Sequence, residues 1–132
     1  VVEPQLAACL FKSAQKDELT PVNILEETIM AGLSCGEPSP VAWKILREEV
    51  SDFISIPDSI VAPAMRLLAK PSHNAPIIEA GESAVAGLAA TILIARDKKL
   101  RQIFGIDIDS RVLLIGSEGA TDRDLYEGII AA

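Results

Sequence analysis

An α/β fold, a largely parallel sheet flanked by helices, is what this chain predicts, and three observations carry the prediction. Short apolar runs that read as strands alternate with stretches of helical spacing. The apolar content, 49% of the chain with only 4% aromatic, is mostly Ala, Ile, Leu and Val, the composition of elements buried on more than one face. Glycine-bearing turns, Gly81-Glu82-Ser83 and Gly116-Ser117-Glu118-Gly119, stand where such runs give way to helices. With 132 residues there is room for one domain, so residues 1–132 are read as a single α/β domain or half-domain.

The elements follow in order. Val1–Glu3 reads as a short strand closed by Pro4, which cannot donate to a ladder. Leu6, Cys9, Leu10 and Ala14 give Gln5–Gln15 a helical spacing, and Glu26–Leu33 is a short, weakly helical piece after the Thr20–Asn23 turn. Gly36-Glu37-Pro38-Ser39-Pro40 breaks the chain; Ser39 then caps a helix with Pro40 at its first position. That helix runs to about Val50 with Val41, Ile45 and Leu46 inward. Phe53–Ile56 alternates as a strand does. Asp58 caps a helix through Met65 and Leu68 that Lys70-Pro71 stops, and Pro63 within it implies a kink or a late start. Ile77–Ile78 is a brief strand, and the helix from Ser83 to Ile94 is smooth with Ala84, Gly87, Ala89 and Ala90 for close packing on a sheet. Asp97–Phe104 is a short charged helix. Arg111–Ile115 is the clearest strand, and Thr121 with Asp124 opens the last helix, to Ile130.

Charge narrows the function classes. Twelve basic against 19 acidic residues leave −7 and a pI near 4.6, with no basic cluster, so nucleic acid and anionic membrane surfaces are not expected partners. Mean hydropathy is high, +0.32, yet the longest uncharged apolar stretch, Ser83–Ala95, is about 13 residues against the roughly 17–25 that span a bilayer. Cys9 and Cys35 form neither a disulfide framework nor a zinc motif and suit a reducing cytoplasm. The opening Val1-Val2-Glu3-Pro4 has no signal-peptide character and reads as the end of a strand entered from outside, so the chain is expected to be cut from something larger.

Phosphate-loop, dinucleotide, zinc-protease and nucleophile-elbow motifs are missing from the sequence. His73, the one histidine, falls in a turn-like Pro71–Asn74 stretch and is read as a surface residue. Asp107 and Asp109 flank Ile108 as a solvated loop rather than a cation site. Three loops qualify as ligand-binding ends of strands: Met30–Leu33, Gly81–Ser83 and Gly116–Gly119. Their glycines expose backbone N–H groups beside a hydroxyl and a carboxylate; equally, they permit tight turns and cap helices. Both readings stand on the residues alone.

The run Thr28-Ile29-Met30-Ala31-Gly32-Leu33-Ser34-Cys35-Gly36-Glu37-Pro38 resembles the central segment of diaminopropionate ammonia-lyases, fold-type II pyridoxal-phosphate enzymes related to threonine dehydratase and the tryptophan synthase β subunit. The likeness continues in order through Trp43–Arg47, Ala64–Leu68, Gly81–Ser83 and Ser117–Asp122, and corresponds to the family's C-terminal portion. It implies pyridoxal 5'-phosphate as cofactor, a small amino-acid substrate, and α,β-elimination of 2,3-diaminopropionate to pyruvate and ammonia. It further implies a homodimeric, cytoplasmic parent whose cofactor lysine, phosphate loop and proton-transfer residues lie upstream, so that this chain is inactive without that N-terminal portion. Phe11-Lys12-Ser13 is not the cofactor-lysine motif, and Lys12 is read as a surface lysine.

No catalytic residue carries over from the family. Ala31 and Gly32 match backbone beside the cofactor ring, Glu82 and Ser83 match a turn near the pyridine edge, and Ser117 is the candidate hydroxyl facing the pyridine nitrogen. A neutral partner there would leave that nitrogen largely unprotonated and favour elimination. Gly116 stands where the family carries Ser or Thr, and Ala120 where it carries Asp. Two alternatives accompany this reading: a stand-alone, non-catalytic binding or regulatory module derived from the family, and a small-ligand binder of general α/β type.

Overall fold

The computed structural model describes residues 1–72 and 74–132, so His73 lies outside the described residues. Val2–Pro4 (β1) and Ile54–Ile56 (β2) pair in parallel, with Val2 opposite Ile54, Glu3 opposite Ser55 and Pro4 opposite Ile56. Among the described residues six helices accompany this two-stranded sheet: Cys9–Lys16 (α1), Pro40–Glu49 (α2), Val61–Ala69 (α3), Ala86–Arg96 (α4), Lys98–Phe104 (α5) and Arg123–Ala131 (α6). The architecture is α/β with a small parallel sheet. α4 lies against both strands, α3 and α5, while α3 also packs on α6. Ala86, Ala89 and Ala90 are buried along α4, because small side chains let a helix approach a sheet closely. Met30, Ile56, Val61, Met65 and Val85 are the largest apolar side chains fully enclosed in this core.

The first helical stretch divides into a 3-10 turn, Gln5–Ala7, and α1. α1 has no cap from its own sequence; its acceptor comes from the strand. Glu3, buried, accepts the Leu10 N–H at 3.0 Å and the Phe11 N–H at 2.7 Å, supplying the first-turn acceptors that a neighbouring Ser or Asp would otherwise provide. Glu26–Leu33 is helical only as a 3-10 turn at Ala31–Leu33. Upstream of it Asp58 takes the Thr28 hydroxyl at 2.6 Å and the Ile29 N–H at 2.8 Å, tying that backbone to another segment instead of to itself. Asp58 is therefore not the cap expected of it; a 3-10 turn, Asp58–Ile60, leads into α3. Pro63 sits in the first turn of α3, where a missing N–H costs nothing.

Ser39 caps α2 as expected, accepting the Ala42 N–H at 3.3 Å. The buried face is not the expected one. Trp43 turns inward toward Phe53, ring centroids 6.0 Å apart, whereas Val41 and Ile45 are exposed; α2 is apolar on two sides and the ring's larger area takes the covered one. Asp97 caps α5 through the Lys99 and Leu100 N–H groups, and Gly105, at φ +63°, ends it in the left-handed conformation. The last helix is capped by Asp122, which accepts the Leu125 N–H at 2.9 Å, and not by Thr121.

Two expected strands do not form. Ile77–Ile78 is irregular, with one bond from the Ile78 N–H to the Leu68 carbonyl. Arg111–Ile115, apolar enough for a sheet interior, carries no ladder, and among the described residues no backbone group of 111–117 is paired. Strand identity requires a neighbour to hydrogen-bond; among the described residues none pairs with this segment, and Leu113 and Ile115 stand 87% and 84% exposed.

Candidate functional site

Three loops meet at one point. The Ala31–Leu33 turn presents the Gly32 N–H, which donates to the Ser83 hydroxyl oxygen at 3.0 Å. The Gly81–Ser83 turn precedes α4, and its Ser83 N–H donates to Glu118 Oε1 at 3.3 Å. The Gly81 N–H donates to the Glu118 carbonyl at 3.3 Å, so the third loop is tied by backbone as well as side chain. Space demands glycine at Gly81, where the obstacle is backbone, and is tight at Gly32, where side chains would have to shift. A Cβ on Gly32 would stand 2.9 Å from Ser83 Oγ and 3.1 Å from Glu118 Oε2; a Cβ on Gly81 would collide with the Gly119 carbonyl and stand 2.5 Å from Glu118 Oε1.

Of the sequence-predicted residues, Gly32 and Ser83 are joined directly, and Ala31 lies exposed beside Gly32. Glu82 is buried, and its Oε1 has no hydrogen-bond partner among the described residues. A buried carboxylate oxygen left unmatched is costly within a closed interior. Ser117 is exposed, next to the junction but outside its hydrogen bonds. Glu118 also joins the junction, although the sequence placed it only within the Gly116–Gly119 loop and assigned it no individual role. Its only signal was its place in a Gly-Ser-Glu-Gly turn; nothing local shows a carboxylate reaching 35 positions back to Ser83.

Electrostatics elsewhere are spent on structure. Burial first, then the Glu3 charge, pushes the Cys9 thiol up to about 12, so it is a packed thiol rather than a nucleophile. Asp107 accepts from the Ser110 hydroxyl and the Asp109 N–H, and these bonds lower its carboxyl from the ordinary value. Among the described residues no group of three His, Cys, Asp or Glu side chains is placed to hold a metal ion, and no helix is long and apolar enough to cross a membrane. Every lysine (Lys12, Lys16, Lys44, Lys70, Lys98 and Lys99) is exposed, and none takes part in the three-loop junction.

The α/β arrangement is that of fold-type II enzymes, and residues 1–116 match the pyridoxal-phosphate dependent enzyme family. The chain belongs to that family. It is 40% identical over 133 residues to the diaminopropionate ammonia-lyase of Escherichia coli and 38% identical over 137 residues to that of Salmonella typhimurium, 98% of this chain in each case. It spans about a third of the length of these curated relatives, 33% and 34%.

The solved Escherichia coli diaminopropionate ammonia-lyase in complex with an aminoacrylate-PLP azomethine reaction intermediate superposes with a TM-score of 0.87 at 38% identity, covering 98% of this chain and 33% of that one. Maize serine racemase shares the fold alone, with a TM-score of 0.69 at 21% identity over 98% of this chain and 38% of the other.

The residues present fit a flat, polar aromatic cofactor in part. Ala31 and Gly32 leave exposed backbone with little side-chain bulk, the Ser83 hydroxyl adds a polar edge, and among the described residues Glu82 Oε1 has no hydrogen-bond partner.

Proposed function

We propose that this chain supplies one wall of the cofactor site in a pyridoxal-phosphate-dependent lyase that cleaves 2,3-diaminopropionate by α,β-elimination. The observation that carries the proposal is the 40% identity over 98% of the chain to diaminopropionate ammonia-lyases; the joining of Gly32 and Ser83 in the three-loop junction supports it. Pyridoxal 5'-phosphate, when bound, supplies the electron sink that eases loss of the α-proton and of the β-amino group. The elimination releases the β-amino group as one ammonia, and hydrolysis of the resulting enamine with one water gives pyruvate and a second ammonia.

In this reading Ala31 and Gly32 flank the ring, Ser83 and Glu82 line its pyridine edge, and Ser117 offers a neutral hydroxyl to the pyridine nitrogen. This chain's residues bind and orient. The anchoring lysine, the phosphate loop and the proton-transfer residues come from the N-terminal portion of the same polypeptide, and the parent is a homodimer.

Two features support treating residues 1–132 as a half-domain, inactive alone. The junction contains no lysine. The apolar Arg111–Ile115 segment and the exposed Ile77 and Ile108 lack the cover that a complete sheet would give. The mass of the polypeptide in its source cells, read by immunoblot, tests this. A band several-fold above 14.1 kDa is expected; a band at 14.1 kDa would contradict it and leave a non-catalytic module derived from the family.

A further inference from the structure

Ser83 is held from two sides, and only one of them is explained by turn geometry. Its hydroxyl oxygen accepts the Gly32 N–H at 3.0 Å, and its own N–H is taken by Glu118 Oε1 at 3.3 Å. Among the described residues the Ser83 hydroxyl donates to nothing, which leaves its proton for an acceptor outside the junction. Glu118 is half-buried and has no ion-pair partner among the described residues. One carboxylate oxygen lies where Gly81 leaves room and the other where Gly32 does, 2.5 Å and 3.1 Å from the positions of the missing Cβ atoms. A carboxylate that fills the gap between two glycines and binds only backbone acts as a strut between loops.

We infer that Glu118 is a positioning residue: it fixes the Gly81–Ser83 turn against Gly32 so that the Ser83 hydroxyl is aimed, as a donor, at the bound cofactor. The inference rests on the proposed function above and deepens it. Glu118 touches no reacting atom; it acts through Ser83. Removing it frees the turn to rotate, and the Ser83 hydroxyl then loses either the Gly32 contact or its aim. A glutamine keeps the acceptor and the length, whereas an aspartate keeps the charge but falls short.

The test uses the full-length polypeptide carrying Glu118→Ala, Glu118→Gln, Glu118→Asp, Ser83→Ala or the Glu118→Ala/Ser83→Ala pair. The readouts are pyridoxal-phosphate affinity by fluorescence titration, the absorption maximum of the bound cofactor, and melting of the cofactor-free protein. Glu118→Gln is expected to match the wild type. Glu118→Asp and Ser83→Ala are each expected to weaken binding by about tenfold and to move the absorption maximum in the same direction. The double variant is expected to be no weaker than Ser83→Ala alone, since the two residues act as one unit.

Additive losses in the double variant, or an unshifted absorption maximum in Glu118→Asp, would overturn the inference. Should Glu118→Ala fail to fold, the Gln, Asp and Ser83→Ala variants still decide it. A full-length wild type that binds no pyridoxal phosphate would instead defeat the functional reading itself, and this inference with it.

Discussion

Glu3 illustrates how one side chain sets chemistry by where it is buried. Its carboxylate caps α1 and lies 3.7 Å from the Cys9 sulfur. Glu3→Ala is expected to cost about 1–3 kcal/mol in denaturant unfolding, because two first-turn N–H groups lose their acceptor in a half-closed interior. With its thiol pushed up to about 12, Cys9 stays protonated through neutral pH, while Cys35 is exposed. Alkylation of the folded protein at pH 8 followed by peptide mass spectrometry is expected to mark Cys35 and spare Cys9. Gly81→Ala is expected to cost about 1–3 kcal/mol by the same unfolding measurement, since backbone must move to admit the methyl. At this scale the sequence was partly legible. Gly32 and Ser83 were read from a turn pattern and a resemblance, but their mutual bond and the Glu118 strut arise from tertiary placement that no local pattern encodes.

Helices were more legible than strands, for a physical reason. A helix closes its bonds within its own segment, so Ser39-Pro40 and Asp97 announce α2 and α5 directly. Arg111–Ile115 has the apolar content of a strand and no neighbour to make it one. The inward face of α2 was misread because Val41 and Ile45 share a helical spacing that competes with Trp43. If residues 111–115 pair in the full-length polypeptide, their amides are expected to exchange with deuterium rapidly in residues 1–132 and slowly in the parent. Equal rates in both would remove the argument that this segment awaits a sheet.

Asp97 carries a pH prediction at the same scale. Bonds from the Leu100 and Lys99 N–H groups hold its carboxyl below the ordinary aspartate value. The folded state therefore prefers the ionised form. Its contribution is present above the unfolded aspartate value, near pH 4, and is lost as pH falls through the lowered folded value. Melting temperature is expected to fall on acidification through this range, and Asp97→Asn, which keeps the cap, is expected to flatten that fall.

For the whole molecule, the small parallel sheet, the exposed apolar segments and the alignment to a third of each lyase relative are what the proposal of one wall of a cofactor site draws on. The α/β class was legible because aliphatic excess and alternation survive in any portion of such a fold. The sheet's small extent was not, because the alternation counts strands without saying which of them find partners. The central claim is that residues 1–132 line the cofactor but do not anchor it. It is tested most directly by reducing the pyridoxal-phosphate-loaded full-length polypeptide with borohydride and mapping the labelled lysine by mass spectrometry. The label is predicted on a lysine outside residues 1–132; a label on Lys12 or any other lysine of this chain would contradict the account.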